Sequence, residues 1–185
     1  MLIGQNISLR PANPAEVELV AEWVNDPEYW GPFYNHGPAP RQEIEADWTV
    51  WSEENRSYVI VKNDSNEPIG TMGFVNPFTI PTLWRALEIW YQVHPKARGN
   101  GHASQAACLL VNHLFSTRPL ERIQATVVVG NDASCRVLEN AGMQRDGVYR
   151  RVFFLHGQYV DMHLYSIVRD DWHDEDAYRA SQRPF

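Results

Sequence analysis

The sequence predicts an α+β (layered α/β) fold, with a mixed, mostly antiparallel central sheet and helices on both of its faces. Apolar runs of strand length alternate with segments of helical apolar spacing along the chain. Two such runs, at 83–93 and 122–129, flank one helix, so we expect them to pair in parallel with a right-handed crossover. Other neighbouring runs are joined by short polar turns, which indicates antiparallel hairpins.

Local signals set the elements in the first half of the chain. Asn13 can cap the first helix, and Pro14 occupies a first-turn position where proline is tolerated. The segment 27–40 is rich in Pro, Gly and aromatic residues, so we expect an ordered loop that covers a pocket, although it could simply plug one end of the sheet. The predicted elements are a strand at 7–10, helices at 14–25 and 41–54, and strands at 57–62, 69–75 and 83–93.

The second half of the chain completes a single domain over 1–185, with a core at about 7–172 and a polar tail that is expected to fray. Gly142 is a natural helix end, and His156-Gly157 is a good two-residue hairpin loop. The nearly continuous apolar end of 122–129 is typical of a central strand. The predicted elements are a helix at 100–116, a strand at 122–129, a helix from 130–132 to 141–142, and strands at 148–155 and 158–167.

The turn after the long strand, Lys96-Ala97-Arg98-Gly99-Asn100-Gly101-His102-Ala103, carries the main functional signal. Its two glycines permit dihedrals that a Cβ would forbid, and the helix that follows offers unpaired N–H groups and a partial positive charge. Such a helix start binds phosphate-type anions, so we predict that the turn holds the pyrophosphate of a nucleotide-like cofactor, with added charge from Arg98 and Lys96. It matches neither a dinucleotide-binding loop nor a Walker loop, and a plain glycine turn is the alternative.

Composition narrows the function classes. The net charge is −7 and no Lys/Arg block occurs, which disfavours a nucleic-acid partner and suits a cationic one, such as an amine. Cys108 and Cys135 form no Cys-x-x-Cys pair, so we expect neither disulfides nor a thiolate zinc site. The histidines lack metal-ligand spacing, so no metal is expected. No apolar span of about 18 residues is present, which favours a cytoplasmic protein without a membrane partner.

Four pairs of segments occur in a characteristic order. They are Ile7–Pro11 with Trp23–Pro27, Glu88–Tyr91 with Arg98–Ala103, Asn131–Ser134 with Leu138–Met143, and Gly157–Asp161 with Leu164–Ser166. Together they resemble the GNAT superfamily of N-acetyltransferases over about residues 7–172, and in particular its branch of ribosomal-protein alanine acetyltransferases (RimJ/RimL type).

The resemblance implies a GNAT-like fold in which two parallel strands splay apart and the pantetheine arm of acetyl-CoA, the co-substrate, enters the gap. The strand end would bind pantetheine through its backbone, the amides of the glycine turn would bind the pyrophosphate, and Asn131 would hydrogen-bond the pantetheine arm. The implied cofactor-binding residues are Tyr91, Gln92, Val93, Arg98, Gly99, Asn100, Gly101, His102, Ala103 and Asn131.

Two residues are candidates for catalysis. Glu88 is a charged residue on an otherwise buried strand, where a desolvated carboxylate makes a better base, although it could instead be a charge on a solvated strand face. Many relatives place a tyrosine acid where this chain has Leu138, so Ser134 is the better candidate acid, as in the ribosomal-protein branch. The alternative for Ser134 is a first-turn residue that only satisfies a backbone donor.

The expected reaction is transfer of an acetyl group to a primary amine, with a small or cationic amine mildly preferred over a protein N-terminus. Alternatives are a non-catalytic acyl-CoA-binding module, a protein N-terminal acetyltransferase and another kind of nucleotide-binding domain. Edge strands or the last hairpin could support a homodimer. Four aromatic residues could line the acceptor site, or could be core residues: Trp30, Tyr34, Trp84 and Trp90, the last standing where many relatives have Gly.

Overall fold

A computed structural model describes residues 1–34, 39–53, 56–77 and 85–173 of the chain. Its strands are β1 Leu2–Ile3, β2 Ile7–Pro11, β3 Ser57–Lys62, β4 Pro68–Val75, β5 Ala86–Val93, β6 Arg122–Val128, β7 Gln144–Leu155 and β8 Gln158–Val168. Its α-helices are α1 Val17–Val24, α2 Pro27–Trp30, α3 Arg41–Glu53, α4 His102–Thr117 and α5 Asp132–Asn140. Over these described ranges the strands form one sheet in the order β1-β2-β3-β4-β5-β6-β8-β7.

The sheet is mixed and mostly antiparallel, as predicted. β5 and β6 pair in parallel, and the neighbouring pairs on either side of them are antiparallel. The strand alternation gives each face its own apolar cluster. On β3, for example, Ile60 joins the larger cluster with Leu110 of α4 and Leu138 of α5, whereas Val59 joins a smaller one with Val20 of α1 and Trp48 of α3. Helices therefore cover both faces.

The parallel pair is short, and its two strands then separate. β5 and β6 are in register only from Ala86 opposite Arg122 to Glu88 opposite Gln124. Beyond that point β5 stays paired with β4 as far as Val93, and β6 stays paired with β8 up to its own end. Because each strand keeps its outer partner while losing the inner one, a gap opens between their carboxyl ends. The predicted splayed pair is confirmed.

Several element boundaries differ from those predicted. β1 was missed because two residues are too few to show a strand pattern. The first helix begins with a 3-10 turn at Pro14–Glu16, and the expected loop at 27–40 contains the short helix α2, which Asp26 caps by accepting from the Glu28 amide at 2.9 Å. β7 begins four residues earlier than expected, because an exposed edge strand has polar residues at its start.

Further expectations concern the cysteines, a metal site, membrane spans and the C-terminal tail. Cys108 and Cys135 are both free and buried. Across the described residues, His, Cys, Asp and Glu side chains form no group of three or more that could hold a metal ion. Within the same ranges, none of the helices has both the length and the apolar character of a membrane span. The expected fraying tail lies, from residue 174 onwards, outside the described residues.

Candidate active site

The glycine turn leaves a row of main-chain amides without helical partners. Gly99 and Gly101 have φ values of +79° and +72°, in the left-handed region that favours glycine. A Cβ on Gly99 would have no protein atom within 4 Å, so the space beside it is open. The amide of Gln105 is the first in α4 to donate within the helix, to the Gly101 oxygen at 3.0 Å. The amides just before it are therefore available to a ligand.

Arg98 differs from expectation, because both its amide and its guanidinium are already bonded. Its N–H donates to the Pro95 oxygen at 3.2 Å and closes the 3-10 turn that ends β5. Its side chain donates to the oxygens of Val93, at 2.9 Å, and of Glu28 and Tyr29 in α2. Arg98 thus ties α2 to the end of β5, and its amide is not available to the anion that we expected it to bind.

A cavity of about 590 Å³ extends from the glycine turn along the carboxyl end of β5, where that strand has no β6 partner, to the start of α5. Asn100 lies outside it and faces a second, polar cleft with Asn6 and Lys62. The cavity also takes in Phe33 and Asn140, which were not predicted as site residues. Phe33 belongs to the loop expected to cover a pocket, and Asn140 to the Leu138–Met143 segment. The predicted cofactor-binding residues that line it are Tyr91, Gln92, Val93, Arg98, Gly99, Gly101, His102, Ala103 and Asn131.

Ser134 lines this cavity and is held by two neighbours. Its Oγ lies 2.6 Å and its main-chain oxygen 3.2 Å from the Tyr91 hydroxyl, so the single phenol hydrogen has both oxygens within reach. The Asn131 side chain caps α5 by accepting from the Ser134 amide at 3.2 Å. Burial raises the pKa of the Tyr91 phenol well above its ordinary value, although the bond to Ser134 opposes this. Tyr91 therefore keeps its proton and acts as a hydrogen-bond donor.

Glu88 lies on the opposite face of the sheet, at the last paired position before the gap. Along β5 it alternates with Leu87 and Ile89, which belong to the cluster beneath α4 and α5. One carboxylate oxygen accepts from the Thr126 hydroxyl at 3.0 Å, and the other from the Gln124 amide at 3.1 Å. The two candidate catalytic residues thus flank the gap from opposite faces.

The expected acceptor-site aromatics are only partly brought together. Trp30 lines the cavity and stacks on Tyr34 with ring centroids 4.8 Å apart, and Tyr34 contacts Phe153 of β7 at 5.7 Å. The Trp90 indole lies over Gly73, because a Cβ on that glycine would come within 2.6 Å of it. Trp90 is therefore on the face of Glu88 rather than in the cavity, and Trp84 lies outside the described residues.

Sequence comparisons identify the family of this chain. Residues 6–144 match the acetyltransferase (GNAT) domain. The chain is 37% identical over 110 residues to the uncharacterized N-acetyltransferase YoaA of Bacillus subtilis, a match that covers 60% of each protein. It is 28% identical over 178 residues to the uncharacterized N-acetyltransferase p20 of Bacillus licheniformis, covering 92% of this chain and 97% of that one. The putative ribosomal N-acetyltransferase YdaF of Bacillus subtilis is 23% identical over 181 residues, covering 94% and 97%.

Solved structures share the fold. An acetyltransferase of the GNAT family from Bacillus anthracis superposes with a TM-score of 0.79 at 22% identity, covering 91% of this chain and 98% of that one. RimJ of Mycobacterium smegmatis, in complex with CoA-disulfide, gives 0.76 at 22% identity over 94% and 87%. Spermidine N-acetyltransferase of Vibrio cholerae, in complex with CoA and spermine, gives 0.77 at 19% identity over 90% and 97%. The predicted RimJ/RimL-like resemblance is confirmed, and the chain belongs to the GNAT acetyltransferase family as an N-acetyltransferase.

Proposed function

We propose that the protein transfers the acetyl group of acetyl-CoA to a primary amine, which attacks the thioester directly. The observation that carries this proposal is the gap between β5 and β6. Glu88 stands at the last paired position on one face, and the cavity with Ser134 and the glycine turn lies on the other.

The site suits the elongated shape of acetyl-CoA. The carboxyl end of β5 has no β6 partner, so its inner main-chain groups can bond a pantetheine arm as a strand would. The amides before Gln105 suit a pyrophosphate at the start of α4. RimJ and the spermidine acetyltransferase, which share the fold, were both solved with CoA or a CoA derivative, and this supports the same ligand here.

Glu88 would accept the proton that the acceptor amine must lose. An alkylammonium has a pKa of about 10.4 and cannot attack a carbonyl until it is deprotonated. A carboxylate has about four lone-pair sites, and Thr126 and Gln124 occupy two of those on Glu88. The remaining sites can take a proton from the amine or from an intervening water. A general base of this kind contributes about 10²–10⁴ to the rate.

Ser134 would give a proton to the sulfur as the carbon–sulfur bond breaks. If the Tyr91 hydroxyl donates to Ser134 Oγ, the serine hydrogen is free to point into the cavity. The nitrogen loses its second proton as the amide forms, and that proton restores the Ser134 hydroxyl. The products are then an N-acetyl amide, a free thiol and one proton, which leaves from Glu88.

Two classes of amine are candidates for the acceptor. The net charge of −7 and the aromatic pair Trp30–Tyr34 favour a small or cationic amine. Similarity to the putative ribosomal N-acetyltransferase YdaF and the fold shared with RimJ support a protein N-terminus as a second candidate. The fold shared with a spermidine acetyltransferase is consistent with the first.

An amine panel distinguishes these functions. Purified protein is mixed with acetyl-CoA and with spermidine, amino-acid amides, aminoglycosides or peptides that begin with alanine, and the release of free thiol is followed. We expect amine-dependent release with at least one acceptor, and a reduction of about 100-fold or more by Glu88→Gln. Binding of coenzyme A without release of thiol for any acceptor would favour a non-catalytic acyl-CoA-binding module. The absence of both binding and release would overturn the proposal.

A further inference from the structure

A hydrogen-bonded chain of polar side chains runs from Glu88 across β6 to β7 and β8. We propose that Gln124 and Thr126 are positioning residues for Glu88, and that Arg122, held by Asp146, fixes the orientation of Gln124. The proposal rests on the proposed role of Glu88 as the base. It assigns a function to Gln124 and Thr126, two polar residues of β6 that stand among apolar neighbours in the sequence.

The inner part of the chain gives each oxygen of Glu88 one neutral donor. Thr126 Oγ1 donates to Glu88 Oε1 at 3.0 Å, and Gln124 Nε2 donates to Glu88 Oε2 at 3.1 Å. Gln124 is only 4% exposed, so its amide cannot exchange this bond for one to water. Two bonds to two oxygens restrain the carboxylate against rotation.

The orientation of the Gln124 amide follows from its two neighbours. Its Oε1 accepts from Arg122 Nε at 3.2 Å, while its Nε2 donates to Glu88. A guanidinium can only donate and an ionised carboxylate can only accept. A flipped amide would therefore lose both bonds and place like partial charges in contact. Arg122 thus makes Gln124 a donor towards Glu88.

The outer part of the chain holds Arg122 in place. Its guanidinium forms an ion pair with Asp146 at 2.5 Å, and Asp146 also accepts from the Ser166 hydroxyl at 2.7 Å. Ser166 is 4% exposed and belongs to β8. Burial alone would raise the pKa of Asp146, but the bonds from Ser166 and Arg122 outweigh it and hold that pKa below its ordinary value. Asp146 is therefore charged when it binds Arg122.

A merely structural role does not account for this arrangement. A central strand beside the apolar residues Ile123, Ala125 and Val127 gains nothing in packing from a glutamine and a threonine on its other face. Both side chains converge on one carboxylate, and that carboxylate lies where β5 and β6 part. The donors thus hold Glu88 beside the opening through which the proposed thioester would be reached.

The test is a set of double-mutant cycles on kcat. Thr126→Val and Gln124→Leu are measured alone and in a Glu88→Gln background, with the best acceptor of the amine panel. Each single variant should lower kcat about tenfold or more, as expected for a lost hydrogen bond to a charged group, with the KM for acetyl-CoA unchanged. In the Glu88→Gln background neither should lower kcat further. Thr126→Ser, which retains the hydroxyl, should restore most of the activity.

Thr117→Val is the matched control for Thr126→Val. It also replaces a threonine by valine, but in α4, where the Thr117 hydroxyl donates to the His113 oxygen. It should leave kcat unchanged. Normal turnover in Glu88→Gln would remove the base and this proposal with it. A damaged Glu88→Gln combined with normal kcat in Thr126→Val and Gln124→Leu would overturn the positioning role alone, as would equal losses in both backgrounds. If Gln124→Leu does not fold, the near-isosteric Thr126→Val decides.

Discussion

Replacing Tyr91 by Phe tests whether this phenol directs the proton of Ser134. The change removes one oxygen, which lies 2.6 Å from Ser134 Oγ, and leaves the ring that lines the cavity. A hydrogen bond between neutral groups contributes about 0.5–1.5 kcal/mol, which corresponds to a loss of about 2- to 13-fold in kcat. Loss of the proposed acid in Ser134→Ala should cost more, about 100-fold or above.

The decisive assay is the cycle of the two substitutions, followed by thiol release at saturating substrates. Because Tyr91 acts through Ser134, Tyr91→Phe should have almost no effect on kcat in the Ser134→Ala background. Coenzyme A affinity, measured by calorimetry, should remain within about twofold, since the proposed contacts of the strand are made by its main chain. Equal losses of kcat in both backgrounds would refute the reasoning.

Tyr165→Phe is the matched control for this experiment. Tyr165 is also a buried tyrosine, and its hydroxyl donates to Glu139 of α5 at 3.0 Å rather than to a cavity residue. The same chemical change there should lower the melting temperature without lowering kcat. A drop in kcat as large as that of Tyr91→Phe would mean that the effect reflects loosening of α5 and not the orientation of Ser134.

Three further predictions concern the glycine turn, α2 and acid stability. Gly99→Ala should strain the turn by about 1–2 kcal/mol and weaken coenzyme A binding, whereas Gly157→Ala, with the same positive φ and open surroundings, should cost similar stability and leave binding unchanged in calorimetry. Arg98→Gln should loosen α2 on β5, leaving Gln92 as its anchor, and speed proteolysis near residue 30, while an intact cleavage pattern would contradict the tie. Asp146→Asn should lower the free energy of unfolding at neutral pH. Because folding lowers the pKa of Asp146, its contribution to that free energy is fully present above about pH 3.9 and is lost as the pH falls through the pKa of the folded protein. Unfolding curves of the two proteins should therefore converge in acid, and a constant difference would refute the assignment.

The predictions of site residues rest on local features of the chain and on the resemblance. The two glycines at the start of a helix indicate an anion site because the signal lies within a few consecutive residues. Glu88 was a candidate because it is a charged residue on an otherwise apolar strand, and Ser134 because the resemblance implies it. The splay of β5 and β6 followed from the resemblance, not from periodicity, since a strand pattern says nothing about where two strands stop pairing.

Contacts between distant segments could not be predicted. Arg98 bonds carbonyl oxygens about 70 positions away in sequence, at Glu28 and Tyr29, and main-chain acceptors leave no mark in the side-chain pattern. Gln124 and Thr126 were hidden in a strand whose apolar residues dominate its pattern. Asn100 bonds the oxygens of Arg98 and Ala97 and faces outwards, a choice of rotamer that motif spacing does not determine.

The attachment of α2 has a consequence for how such a protein can diversify. The donors on β5 and the glycine turn, Gln92 and Arg98, recognise the peptide oxygen of Tyr29, an acceptor that every amino acid supplies. The segment leading towards the aromatic pair can therefore accumulate substitutions without detaching from the sheet. Selection for a new acceptor can act on that segment while Gln92 and Arg98 stay constant. Acceptor specificity can then evolve separately from the proposed binding of acetyl-CoA.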